Sequence, residues 1–258
     1  MEAVSCSFAG ALIACLAVTR YATPPFIPRY DLVFLLCVGI QALLVWRRIE
    51  SWADIGVISL FHVTGVFLEW NKVRAGSWSY PEFAFLKFYG VPLYGGFMYA
   101  AIASYMIAAW KLFDLEFCGW PRGGLVGLVL AAVYGQFFVP VQNLAVRFGV
   151  LAFLVAVFAR CSVCFSVDGR RCRMPSPVAL LLIGFFVWLA ENIATYFRAW
   201  TYPYQVAAWQ PVHVSKVLAW TMMMVVGMSI IQYYKTVPWL SREKLAKLRH
   251  PIRESASP

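Results

Sequence analysis

The chain has 258 residues, of which 62% are hydrophobic, 17% aromatic and only 13% charged. Soluble domains are nearer half apolar and a quarter charged, so this composition excludes an ordinary water-soluble globule and indicates an integral membrane protein. The net charge of +10 does not indicate a nucleic-acid partner, because the basic residues sit at the ends of apolar runs and in the tail rather than on a platform interleaved with aromatics.

In chain order, eight apolar segments read as membrane-spanning helices: residues 3–19, 31–46, 54–70, 91–112, 124–140, 148–165, 177–197 and 211–234. The expected fold class is therefore all-α, a polytopic transmembrane helix bundle of about eight spans. A seven-span alternative drops the first, second or fifth segment, which are short for a hydrocarbon core about 30 Å thick. Residues 4–18 resemble a signal-peptide core, but Arg20 follows the run and no basic stretch precedes it, so it is taken as a first span. No link exceeds roughly 20 residues, too few for a soluble domain between spans.

Orientation follows from Lys and Arg. With a cytoplasmic N-terminus, the inner links carry Arg47, Arg48, Lys111, Arg122, Arg160, Arg170, Arg171 and Arg173, and the tail adds six more basic residues. The outer links carry Arg20, Arg29, Lys72, Arg74, Lys87, Arg147 and Arg198. The inner side is about twice as basic, which predicts cytoplasmic N- and C-termini in a bacterial inner membrane. Residues 238–253 read as a basic amphipathic piece on the anionic inner leaflet. Of the seven cysteines, Cys161, Cys164 and Cys172 share a basic loop; with no histidine nearby as a fourth ligand, they are expected as free thiols rather than a metal site.

A pattern recurs along the chain. Glu69, Trp78, Tyr80 and Pro81 match Glu191, Trp200, Tyr202 and Pro203 as E-x8-W-x-Y-P, offset by 122 residues. A gap of three then aligns Pro92 with Pro211. Duplication is the expectation, with halves at about 1–122 and 123–237 and a basic tail at 238–258. Each unit has an even number of spans, so the two insert in the same orientation, related by a pseudo-twofold axis along the membrane normal.

Each glutamate lies about 14 residues, or about 21 Å, into a span that starts at the inner face. An ionisable side chain at that depth costs several kcal/mol unless paired and is by default a functional candidate. Glu69 shares a helical face with His62, and the eighth segment opens with His213 and Lys216. The candidate catalytic set is Glu69, Glu191, His62, His213 and Lys216. The candidate substrate-binding set is Trp78, Tyr80, Trp200, Tyr202, Tyr94 and Asn192, the four loop aromatics doubling as an interfacial belt.

Three histidines cannot build a membrane di-iron site, and the chain lacks a Walker loop, a G-x-G-x-x-G unit and a G-x-S-x-G elbow. No metal or cofactor is expected. What remains is carboxylate acid–base chemistry on a lipid or isoprenoid, a small-solute or proton-coupled transporter, or a non-catalytic structural membrane protein.

The strings FHVTGVFLEWNKVRAGSWSYPE, GVPLYGGFMYAAIASY and LLIGFFVWLAENIATYFRAW resemble the bacterial membrane family DUF817 over nearly the whole chain. That resemblance implies a multi-pass inner-membrane protein without an assigned activity. At motif level, Glu69, Gly76, Trp78, Tyr80, Gly90, Val91 and Pro92 are also similar to the carotenoid hydratase and cyclase-like membrane families. This second resemblance implies metal-free protonation of an alkene, with aromatic faces stabilising a carbocation.

Overall fold

The computed structural model describes residues 5–138 and 144–236. The basic tail lies outside the described residues. Among the described residues eight α-helices follow in order: α1 Ser7–Tyr21, α2 Arg29–Trp46, α3 Trp52–Arg74, α4 Tyr94–Leu112, α5 Gly123–Phe138, α6 Leu144–Phe158, α7 Ser176–Tyr196 and α8 Lys216–Thr236. One stands at each of the eight apolar segments. Arg29–Trp46, Trp52–Arg74, Ser176–Tyr196 and Lys216–Tyr234 are long and apolar enough to cross a membrane; Ser7–Tyr21, Gly123–Phe137 and Ala145–Phe158 are apolar but shorter.

The outward faces are apolar too. Leu35, Val38 and Leu43 on α2, Leu60, Val63 and Phe67 on α3, and Leu181, Phe185 and Phe186 on α7 are all exposed. A helix that is hydrophobic on every side suits a core or a bilayer, not a water interface.

Two boundaries differ from the sequence expectation by five residues or more. The sixth segment ends as a helix at Phe158, and the chain enters a sheet of β3 Glu116–Cys118, β4 Ser162–Val167 and β5 Arg170–Pro175, antiparallel in the order β3-β4-β5. Asp168 and Gly169 turn between β4 and β5 with φ of 48° and 74°, the paired left-handed geometry of a tight hairpin. The eighth helix starts at Lys216, after the segment opened by Pro211. The sheet also corrects the free-thiol expectation: Cys164 is disulfide-bonded to Cys118, whereas Cys161 and Cys172 are free.

Helix ends sort into two groups. At one end Asp54, at the start of α3, accepts from Lys111 at the foot of α4 and from Tyr234 of α8 at 3.1 Å. At the other, the last turn of α3 reaches the end of α5 through Lys72 Nζ to the Phe137 carbonyl at 2.5 Å. There Arg29 is buried. Its guanidinium donates to Glu82 at 2.8 Å and to the carbonyls of Phe197 and Arg198 at 2.6 and 3.1 Å. A sequence-assigned loop cation thus becomes a clamp across the top of the bundle.

The helix α4 runs through the centre, with 13 of its 19 residues buried. It packs on α3 so closely that a Cβ on Gly65 would meet Tyr99 at 2.5 Å, and one on Gly96 would meet the His62 carbonyl at 2.5 Å. The α7–α8 contact is equally tight at Gly184, where a Cβ would lie 2.7 Å from the Thr221 amide nitrogen. Small residues here bring backbones together, the close packing that apolar helices use in a bilayer.

Candidate functional site

The site forms where α3 and α7 end. Both stop in the same way. Beyond α3, Gly76 takes φ 68°, and Gly76 N–H and Ser77 N–H return to the carbonyls of Val73 and Lys72. Beyond α7, Arg198 takes φ 57°, and Arg198 N–H and Ala199 N–H return to Thr195 and Ala194. The left-handed residue lets the chain reverse and satisfies orphan carbonyls; the second segment achieves it with Arg where the first has Gly.

The two exit segments then meet. Ser79 and Thr201 exchange N–H···O bonds, each 2.9 Å, in an isolated antiparallel bridge. These are equivalent positions of the two E-x8-W-x-Y-P motifs, so the motifs face each other about a local twofold. Trp78 lies edge-on to Tyr202, with ring centroids 5.7 Å apart.

Each exit segment folds back over its own glutamate. Glu69, 3% exposed, accepts from Trp78 Nε1 at 2.6 Å, Tyr80 OH at 2.7 Å and Tyr99 OH at 2.8 Å. Glu191, 5% exposed, accepts from Tyr202 OH and from Trp220 Nε1 at 2.7 Å. A buried carboxylate without partners costs several kcal/mol, and each hydrogen bond to a charged group offsets about 1.5–3 kcal/mol of that. Burial, reinforced by the neighbouring glutamate, pushes the Tyr80 and Tyr202 phenols well above their ordinary range, so both remain O–H donors at physiological pH.

Lys216 opens α8 between the two motifs. Its ammonium lies 4.8 Å from the Trp78 ring centre and 4.9 Å from that of Tyr202. Among the described residues it makes neither a hydrogen bond nor an ion pair, and is held by aromatic faces.

Glu69, Glu191 and Lys216 line one cavity of about 600 Å3, together with Trp78 and Trp200. This falls within the range of small-molecule sites. Below the polar end the walls are apolar: Leu12 and Ile13 from α1, Met98 and Ile102 from α4, Ile183 from α7 and Met222 from α8.

The other sequence candidates do not line that cavity. The His62 ring packs on Phe97, 4.5 Å between centroids, and its Nδ1 is buried without a partner among the described residues. His213 is exposed, its Nδ1 2.8 Å from Ser215 Oγ. The Tyr94 hydroxyl donates to the Ala199 carbonyl, tying α4 to the second exit segment. Asn192 accepts from Val212 N–H and donates to the Trp188 carbonyl, both at 2.8 Å. Tyr94 and Asn192 position backbone; Tyr80 and Tyr202 hold the carboxylates.

Sequence reasoning left out Tyr99 and Trp220, the third and second donors to Glu69 and Glu191. Both lie one to two turns inside helices following the aligned Pro92 and Pro211, the only sequence signal that could have found them. Among the described residues no three His, Cys, Asp or Glu come together as metal ligands.

The geometry can be set beside known proteins. No solved structure matches the chain. "Uncharacterized protein YoaT" of Bacillus subtilis (strain 168) is 42% identical over 236 residues, covering 92% of this chain and 89% of that protein. The family described as "Protein of unknown function (DUF817)" matches residues 1–228, and the chain belongs to that family.

Proposed function

We propose that this is a multi-pass inner-membrane protein that admits a lipid or isoprenoid to the central cavity and carries out acid–base chemistry at its polar end. The observation that carries the reading is that Glu69, Glu191 and Lys216 line the polar end of one cavity whose remaining walls are mostly apolar. In it the two carboxylates act as proton acceptors and as counter-charge to developing positive charge, beside aromatic faces that already hold an ammonium. Lys216, with uncommitted N–H groups, supplies protons. Eight spans in two parallel four-helix units are part of the proposal, supported by the matched helix ends and the reciprocal Ser79–Thr201 bridge.

The test is Glu69→Gln. The glutamine carbonyl can accept from Trp78 and Tyr80 while its amide donates to Tyr99, whose hydroxyl can turn to accept. The variant therefore folds but lacks the negative charge. It is expected to leave the membrane lipid and pigment profile of a deletion strain unrestored at wild-type abundance. Full restoration would remove the acid–base role.

One observation favours a proton-coupled or small-solute transporter instead: each matched unit contributes one buried carboxylate beside the local twofold. Solute uptake by reconstituted vesicles under a pH gradient, lost in Glu69→Gln, would establish it over the enzyme.

A further inference from the structure

The geometry points to an amphiphile with an anionic head, a phosphate or carboxylate, as the occupant of the central cavity, its head between Lys72, Lys216 and Arg147 and its chain in the apolar shaft; this rests on the lipid-cavity reading above. All three cations line the cavity at the end where the glutamates lie. Lys72 is in the last turn of α3, Arg147 in the first turn of α6 and Lys216 in the first turn of α8.

Two carboxylates against three cations leave the end one positive charge in excess. The imbalance is larger in effect than in count. Glu69 and Glu191 spend their oxygens on tryptophan and tyrosine donors, and neither forms an ion pair with any of the three cations. Lys72 Nζ uses one N–H on the Phe137 carbonyl and rests 4.1 Å from the Phe137 ring centre. Among the described residues Lys216 Nζ touches ring faces alone. Arg147 is exposed at the rim, with no acceptor among the described residues. Gln136 lines the same end with its Oε1 buried and without a partner among the described residues; turning that amide over presents two more N–H donors.

A neutral isoprenoid would fill the shaft but leave the half-buried Lys72 and Lys216 ammonium groups short of a counter-charge, where an unsatisfied charge is more expensive than in water. A lone anion would meet the donors but leave the shaft empty. The shaft runs along α1 from Leu16 to Ala9 and along α4 from Met98 to Tyr105, about 10 Å at 1.5 Å per residue. That suits one acyl or prenyl chain better than a two-chain phospholipid drawn wholly inside.

Binding to the purified full chain in nanodiscs of zwitterionic lipid tests this with three probes: a monoalkyl phosphate, the chain-matched alcohol and inorganic phosphate. The alkyl phosphate should bind at least about tenfold tighter than the alcohol, and raising salt should narrow the gap. Lys72→Gln with Arg147→Gln should reduce the preference several-fold while leaving alcohol affinity unchanged. Ala219→Trp, which fills the shaft, should weaken both chain-bearing probes. Equal binding of alcohol and phosphate ester, or a preference indifferent to the two Gln substitutions, would overturn the headgroup inference and leave the lipid cavity standing. Inorganic phosphate binding as tightly as the ester would assign a free-anion site and overturn the amphiphile. No binding of either chain would overturn the cavity reading itself.

Discussion

Glu50 shows how one residue of this chain responds to pH. It lies between α2 and α3, 6% exposed, and accepts from Gln41 Nε2 and from Ser104 Oγ at 2.5 Å. Its neighbour Asp54 takes the cation: Lys111 pairs with Asp54, and Ser51 and Tyr234 donate to it as well. Glu50 is left with neutral donors beside another carboxylate. Burial pushes its carboxyl above the ordinary value, the Asp54 charge adds to this, and the bonds from Ser104 and Gln41 with the nearby Lys111 pull the other way. The folded protein therefore favours protonated Glu50. The stabilisation is complete below the ordinary carboxylate range and is lost as pH rises through the folded value. Glu50→Gln keeps an acceptor for Ser104 and removes the titration. Its thermal midpoint in detergent should exceed that of the natural protein at pH 8, with the difference closing towards pH 4.5. A gap of the same size at both pH values would show that Glu50 does not titrate with folding.

Among the elements, the α3–α4 contact sets the donor geometry of the site, because Tyr99 leaves α4 where it crosses Gly65. Gly96→Ala would drive a Cβ into the His62 carbonyl at 2.5 Å, a backbone atom that cannot swing aside. The helices must separate, and overpacking of this kind costs about 1–3 kcal/mol. Gly96→Ala should lower the thermal midpoint and weaken the Tyr99–Glu69 bond. Gly56→Ala, with open space around its Cβ, is the control and should leave the midpoint unchanged or slightly higher. Sequence alone located the helices, since long apolar runs have few alternatives, but not their ends. The run C-S-V-C-F-S-V is equally apolar as helix or strand. The adjoining Asp168-Gly169 pair, a hairpin signal followed by the alternating strand of β5, was the discriminating feature. Close approach at Gly65, Gly96 and Gly184 was not legible, because it depends on which face of each helix turns towards its partner.

For the whole molecule, the two glutamates and their loop aromatics were legible because the motif recurs with fixed spacing and a tyrosine eleven residues after its glutamate reaches back over it. Tyr99, Trp220 and Arg29 were not, because long-range packing chooses those partners. Orientation rests on similar global reasoning, and two physical rules disagree about it. By the positive-inside rule the basic links, among them β5 with Arg170, Arg171 and Arg173, predict a cytoplasmic small sheet. The Cys118–Cys164 disulfide joining β3 to β4 suits an oxidising compartment. The positive-inside count draws on many residues across three inner links and the tail, so it outweighs a single cysteine pair as a predictor of orientation. Cys172, exposed on β5, reports the answer. In a Cys6→Ser background, which removes the other exposed free thiol, a membrane-impermeant maleimide should label Cys172 in inverted vesicles and not in intact spheroplasts. Labelling of Cys172 from outside would reverse the orientation and turn the glutamate end of the cavity towards the cytoplasm.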